Sequence, residues 1–193
     1  DDAIDLLLKP QVQGLSTGWS SVDPHYLVSP SEVTVITGVP NMGKSEWMDS
    51  VMINMIQSYG WKFGVFSAEN FPVEHHLLKL VGKFTGKPFW GDEKLDEDKE
   101  QAKILNCRFG LNGLIIDPWN TLEHKFGDGE NETLYVSRVL AQLSAFSKVN
   151  EMHIWVVAHP RKMENGVDRK PVVPTPYDIS GSANWFNKCD NAI

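Results

Sequence analysis

Cysteine is scarce. The 193-residue chain holds two, Cys107 and Cys189, too few for a disulfide framework or, by themselves, a zinc finger. A reducing compartment is the expectation. Long hydrophobic runs are missing too: no stretch approaches the roughly 18 apolar residues that a membrane span needs. There is no internal repeat and no low-complexity tract. Positive charge is in deficit, with 18 Lys and Arg against 25 Asp and Glu for a formal charge of −7. That balance argues against coating nucleic acid non-specifically and leaves room for a local basic channel. Five of the histidines (His25, His75, His76, His124 and His153) fall at no metal-ligand spacing. Neighbouring His75 and His76 point to different faces of a helix, where solvation is the expected state. The chain begins at Asp1 without a signal-peptide pattern and reads as a piece of a longer one.

What is present is ordinary globular material: 41% hydrophobic and 22% charged residues exclude wholesale disorder. At about 150 residues per domain, one domain is expected. Residues 1–10 (DDAIDLLLKP) read as a short amphipathic helix stopped by Pro10, either a frayed terminus or an arm that docks on a neighbour. Strands and helices then alternate. Val33 to Thr37 is a β-branched run, and Lys62 to Ser67, Leu114 to Ile116 and Ile154 to Ala158 are further apolar strand candidates. Helical spacing of apolar residues marks Lys44 to Ser58, Val73 to Thr85 and Thr133 to Val149, the last with Val136, Val139, Leu140, Leu143 and Phe146 inward. Gly91 to Gln101 is a charged, solvated stretch, and 160–177 a loop rich in Pro and charge. This alternation predicts an α/β fold: a mostly parallel sheet with helices on both faces.

One motif stands out. Gly38-Val39-Pro40-Asn41-Met42-Gly43-Lys44-Ser45 matches the G-x-x-x-x-G-K-[ST] phosphate loop. Chance matches in a chain this long are on the order of one per cent at average residue usage, and this one follows a strand and opens a helix. Backbone N–H groups of such a loop turn inward into an anion nest, and the following helix aims its positive end at the same place. Lys44 suits the β and γ phosphates of ATP, and the Ser45 hydroxyl suits Mg²⁺. The alternative is a Gly-rich turn with an unrelated lysine.

Ligands of open parallel sheets bind beyond the carboxyl ends of the strands, so the other strand tips are the next candidates. Strand two runs into Glu69, strand three into Asp117 and strand four into His159. Asp117 is placed to hold Mg²⁺, or is a plain Asp-Pro turn. Glu69 is the candidate general base that orients an attacking water, with Asp117 the competitor for that role and a bland surface Glu the alternative. His159 is either a γ-phosphate sensor or a satisfied polar residue. Beyond it, Arg161, Lys162, Arg169 and Lys170 make a basic patch, followed by small residues around Gly181 and Ser182. That combination suits a phosphodiester backbone, read without sequence preference; a loop made basic by chance is the alternative. Trp185 and Phe186 are assigned to core or interface rather than to base stacking.

In order, Thr17-Gly18-Trp19, GVPNMGKS, GWKFGVFSAEN, GLIIDPWN, VVAHPRK and DISGSANWFNKCDNAI resemble the helicase domain of Twinkle-type proteins, relatives of the DnaB-like replicative ring helicases and phage primase-helicases. The resemblance implies a RecA-like P-loop core over residues 15–193, preceded by a linker over 1–14. It implies a homo-hexameric ring with ATP between subunits, single-stranded DNA through the centre, and a primase domain or partner. It makes Glu69 the catalytic glutamate, Asp117 the Walker B residue and His159 the γ-phosphate sensor, and sets Gly181 and Ser182 against DNA. An Arg that precedes that Gly-Ser pair in some relatives is Ser180 here. A further strand and a trans-acting arginine finger are expected past Ile193, so weak hydrolysis is expected of the piece alone. The span from Glu69 to Asp117 is shorter than the family's, as if a helix were missing near Phe109-Gly110. The compartment implied is cytoplasm or a phage-infected bacterium, or a mitochondrion or plastid. A RecA-like recombination or regulatory ATPase and a non-hydrolysing scaffold are the competing functions; Asp178 to Asp190 disfavours the first, and Glu69 the second.

Overall fold

The computed structural model describes residues 14–67, 70, 73–86, 110–122, 126–127, 129–161, 173–179 and 183–193. The expected helix at 1–10 and the charged stretch at 91–101 lie outside them. Among them five strands form one sheet: β1 (Val33–Ile36), β2 (Phe63–Ser67), β3 (Gly113–Asp117), β4 (His153–Val157) and β5 (Asn191–Ala192), in the order β2-β3-β4-β1-β5. Every pairing is parallel. Among the described residues four helices, α1 (Lys44–Tyr59), α2 (Val73–Thr85), α3 (Glu132–Val149) and the single turn α4 (Asn184–Asn187), stand in the crossovers and cover the sheet. The strand expected past Ile193 has already begun at Asn191, where Asp190 and Ile193 both bond to β1.

The central strands are buried on both faces: Val33-Thr34-Val35-Ile36 is apolar but for Thr34, whose hydroxyl is hydrogen-bonded, and Ile154-Trp155-Val156-Val157 is apolar throughout. One face packs Ile36, Ile115 and Trp155 under Met48, Val51, Met52 and Met55 of α1 and Leu80 of α2. The other packs Val35, Ile116, Ile154 and Val156 under Val136 and Leu140 of α3 and Trp185 of α4. Trp185 is fully buried, whereas Phe186 is half exposed and meets the Tyr177 ring in a tilted contact, centroids 4.7 Å apart.

Two side chains differ from the sequence reading. Phe146 is 49% exposed, and the inward position on its turn is Ser147, fully buried with its hydroxyl donating to the Met152 carbonyl at 2.7 Å. Residues 136, 140, 143 and 147 form a stripe that steps by four, three and four, and Phe146 falls about 100° off it. His76 is buried, not solvated: its Nε2 donates to Asp49 Oδ1 of α1 at 3.0 Å, and Lys79 Nζ lies 3.2 Å from Asp49 Oδ2. This pair joins α1, which carries the phosphate loop, to α2, which follows β2.

A polar chain pins the segment before β1 to the foot of the sheet. His153 Nδ1 donates to the Ser29 carbonyl at 2.6 Å, so Nε2 is the acceptor and takes the Thr34 hydroxyl at 2.8 Å. Tyr26 then donates to Thr34 at 3.0 Å and accepts the Trp155 indole N–H at 2.9 Å. At the other end of the same segment Gly18, at φ +91, lies against Asn54, where a Cβ would come within 2.4 Å of Nδ2; the Asn54 amide donates to the Thr17 carbonyl at 2.9 Å. Glycine is required here for both conformation and space.

Removing a buried charge's partner leaves the other group stranded. Asp49→Ala is therefore expected to lower unfolding free energy by about 2–4 kcal/mol in denaturant titration. Burial pushes the His153 pKa down to about 4, against 6.5 for the free side chain. The folded protein thus refuses a proton that the unfolded chain accepts below pH 6.5, so stability falls as pH drops from 6.5 towards 4. That residue's share of the loss is on the order of 3 kcal/mol. Melting curves across this window should fall more steeply for wild type than for His153→Gln; parallel curves would contradict the assignment.

Candidate nucleotide site

A parallel sheet sends every strand's carboxyl end to one rim. The phosphate loop leaves that rim after β1, His159 follows β4, and Asp117 ends β3, so the three line up in the order set by β1, β4 and β3. With strands about 4.8 Å apart, the loop and Asp117 are separated by two strand spacings. Beside Asp117, in register, is Ser67 at the end of β2, whose hydroxyl accepts from Asn70 Nδ2 at 2.8 Å. Glu69 lies between those two in sequence and outside the described residues.

Two residues of the loop lie in the left-handed region of backbone space. Asn41 adopts φ +62 and Gly43 φ +83, and Gly43 is the N-cap of α1 with no side-chain cap. The N-terminal end of α1, where N–H groups point out of the helix, is thus not closed by a capping side chain of its own. Lys44 Nζ donates to the carbonyls of Gly38 at 2.9 Å and Val39 at 3.1 Å, which holds the ammonium over the loop. Val39 and Ser45 are half-buried, while Pro40, Asn41 and Met42 face solvent. Asp117 is buried at 5% exposure. A buried carboxylate at one strand tip and a serine hydroxyl at the start of the facing helix are hard oxygen donors of the kind Mg²⁺ takes. An uncapped helix end with a lysine across it suits a polyphosphate.

The strand tips are tied to one another. Thr37 Oγ1 donates to the Ala158 carbonyl at 2.9 Å, joining the ends of β1 and β4. The His159 amide donates to Asn120 Oδ1 at 2.8 Å, joining the end of β4 to the 3₁₀ turn Trp119–Thr121 that follows Asp117. Neither Thr37 nor Asn120 was marked by residue type or spacing; the signal for Asn120 is only its place three residues past Asp117.

Past His159 the chain folds back. Pro160 bridges Ile179 antiparallel, and the Arg161 amide donates to the Asp178 carbonyl at 2.8 Å. The Arg161 guanidinium, 68% exposed, lies 3.4 Å from Asp178 Oδ1. Hydrogen bonds from the Thr175 amide and hydroxyl, with Arg161 adding to them, hold the Asp178 carboxyl below its ordinary range. Arg161 thus stands at the stem of the basic loop, paired to an acid, with its outer face open. Lys162, Arg169, Lys170, Gly181 and Ser182 lie outside the described residues.

No family model matches the chain. It is 39% identical over 215 aligned positions to the Twinkle homolog protein, chloroplastic/mitochondrial, of Arabidopsis thaliana, a match covering 93% of this chain and 30% of that protein. The alignment is longer than the 193 residues here, so the relative carries residues without a counterpart in this chain. A probable plasmid replicative DNA helicase of Chlamydia psittaci is 27% identical over 199 positions, covering 84% of this chain and 42% of that one. The chain therefore spans less than half the length of these curated relatives. Among solved structures, the ATPase domain of G40P matches 99% of this chain and 78% of its own length with a TM-score of 0.66 at 14% identity. A DnaB-like replicative helicase, solved with attention to its interactions with primase, matches 99% and 55% with a TM-score of 0.67 at 15% identity. At such identities these structures speak to the fold, which is the RecA-like ATPase fold. Among the described residues no helix is long and apolar enough to cross a membrane. Sequence over nearly the whole chain and fold agree: this is a DnaB-like helicase domain, similar to the part of the Twinkle homolog that it matches.

Proposed function

We propose that this chain is the motor of a replicative DNA helicase that couples Mg-ATP hydrolysis to movement along single-stranded DNA and to duplex unwinding. The observation that carries the reading is the line of functional groups on one rim: phosphate loop, His159, Asp117 and the segment leading to Glu69. A ring of six copies with ATP between neighbours belongs to the same reading, as does a primase partner or primase domain elsewhere in the polypeptide. So does the division into a linker over residues 1–14 and an ATPase domain over 15–193.

In this reading Gly38 to Ser45 wrap the phosphates with main-chain amides, and Lys44 turns its ammonium from the loop carbonyls to the β and γ phosphates. Ser45 and Asp117 hold Mg²⁺, which when bound neutralises charge on the phosphate oxygens. Glu69 orients a water in line with the γ phosphorus and takes its proton. His159 senses the γ-phosphate and passes its loss to the loop that begins at Arg161. Arg161, Lys162, Arg169 and Lys170, with the amides around Gly181 and Ser182, grip the DNA backbone. The 39% identity to a Twinkle homolog over most of the chain supports the reading, as does the name of the Chlamydia relative.

Single-stranded DNA is expected to raise kcat for ATP severalfold in the full-length protein. Glu69→Gln should lower kcat by about 10²–10⁴ while ATP affinity is kept, whereas Lys44→Ala should weaken ATP binding itself. Steady-state hydrolysis and nucleotide titration read both. Hydrolysis at one rate with and without DNA would count against the motor, and ordinary turnover by Glu69→Gln would remove Glu69 from its role.

A further inference from the structure

The ladder between β3 and β4 stops one rung short of His159, and a side chain supplies the missing rung. At the start of β4 the His153 amide donates to the Asn112 carbonyl at 2.9 Å, and the register then runs from Gly113 opposite His153 to Ile116 opposite Val156. Donors on that side of β4 recur every second residue, so the His159 amide would meet its next acceptor at residue 118. There the chain has already turned into the 3₁₀ turn Trp119–Thr121. Asn120 Oδ1 takes the bond instead, at 2.8 Å. On the opposite side of β4 the ladder runs on unaided, with the Ala158 amide on the Ile36 carbonyl at 2.9 Å.

The turn that carries Asn120 is firmly seated. Trp119 is buried, edge-on to Trp185 at 5.1 Å and against Tyr135 at 6.1 Å. Thr121 Oγ1 donates to the Pro118 carbonyl at 2.8 Å. On the far side of His159, Pro160 and Arg161 pair at once with Ile179 and Asp178. His159 is therefore a single residue between the sheet and the stem of the basic loop, and its amide is tied to the turn after Asp117.

We propose that Asn120 is a positioning residue: it fixes the main chain of His159 to the Asp117 turn, so that the sensor, the metal-binding carboxylate and the stem of the DNA loop shift together. The proposal rests on the DNA-stimulated ATPase reading above. A short side chain with a carbonyl acceptor is what the missing rung needs, and Asp offers an oxygen at the same reach where Ala offers none.

The test uses full-length protein with Asn120→Ala and Asn120→Asp beside wild type. Residue-resolved amide exchange at His159 should quicken about fivefold or more in Asn120→Ala, with Ala158 unchanged as the internal control. The DNA-stimulated kcat should fall about five- to tenfold with KM for ATP moved less than about twofold, and Asn120→Asp should restore kcat to within about threefold. Unchanged exchange at His159 overturns the proposal. So does a joint loss in kcat and KM that Asn120→Asp fails to rescue, since that is the mark of a merely structural residue. Should wild type itself ignore DNA, the motor reading fails separately; His159 exchange together with DNA-free kcat then decides for or against Asn120 in the same way.

Discussion

Parallel hydrogen bonding of β1 to β4 is the constraint from which the site follows. A parallel neighbour obliges the chain to cross back over the sheet before each new strand, so successive strands end on the same rim. The residues just past each end are then collected without any of them being close in sequence. The phosphate loop and His159 are more than a hundred residues apart, yet the strands that deliver them are hydrogen-bonded neighbours. The strands in turn hold because both faces are buried, under α1 and α2 on one side and α3 and α4 on the other. Rigidity at the foot of the sheet, from the Trp155–Tyr26–Thr34–His153 chain of bonds, leaves the opposite rim as the place where loops are built for binding.

Two candidate sites are reached from the same rim. The phosphate loop offers main-chain amides, a helix end and a lysine, a constellation suited to an anion. Downstream of His159 the sequence carries Arg161, Lys162, Arg169 and Lys170, the basic cluster assigned to DNA in the proposed function, in a chain whose overall charge is −7. Asp178 partners Arg161 at the start of that cluster, which keeps an acid against the basic stem. The physical link between the two surfaces is short: one residue, His159, flanked by the sheet and by the Pro160–Ile179 bridge.

Much of this was legible in the sequence because the signals are local. The four long strands and three long helices follow from apolar runs and apolar spacing, and the phosphate loop from glycine, lysine and serine at fixed intervals. What was not legible depends on which elements become neighbours. His76 reads as solvated beside His75 until α1 brings Asp49 against it. Phe146 fits a three-residue step from Leu143, but the stripe takes the four-residue step to Ser147. Asn120 acquires a purpose only once β3 is known to turn away from β4 one rung early. Arg161 reads as one member of a basic patch, and its pairing with Asp178, 17 residues on, emerges only in the fold.

The central claim is that the phosphate chemistry on this rim drives movement on DNA. Strand displacement from a forked duplex by the full-length protein tests it most directly. The account predicts release of the displaced strand with Mg-ATP, none with a non-hydrolysable analogue, and none from Lys44→Ala. A protein that turns over ATP normally on forked DNA and leaves the duplex annealed would contradict it.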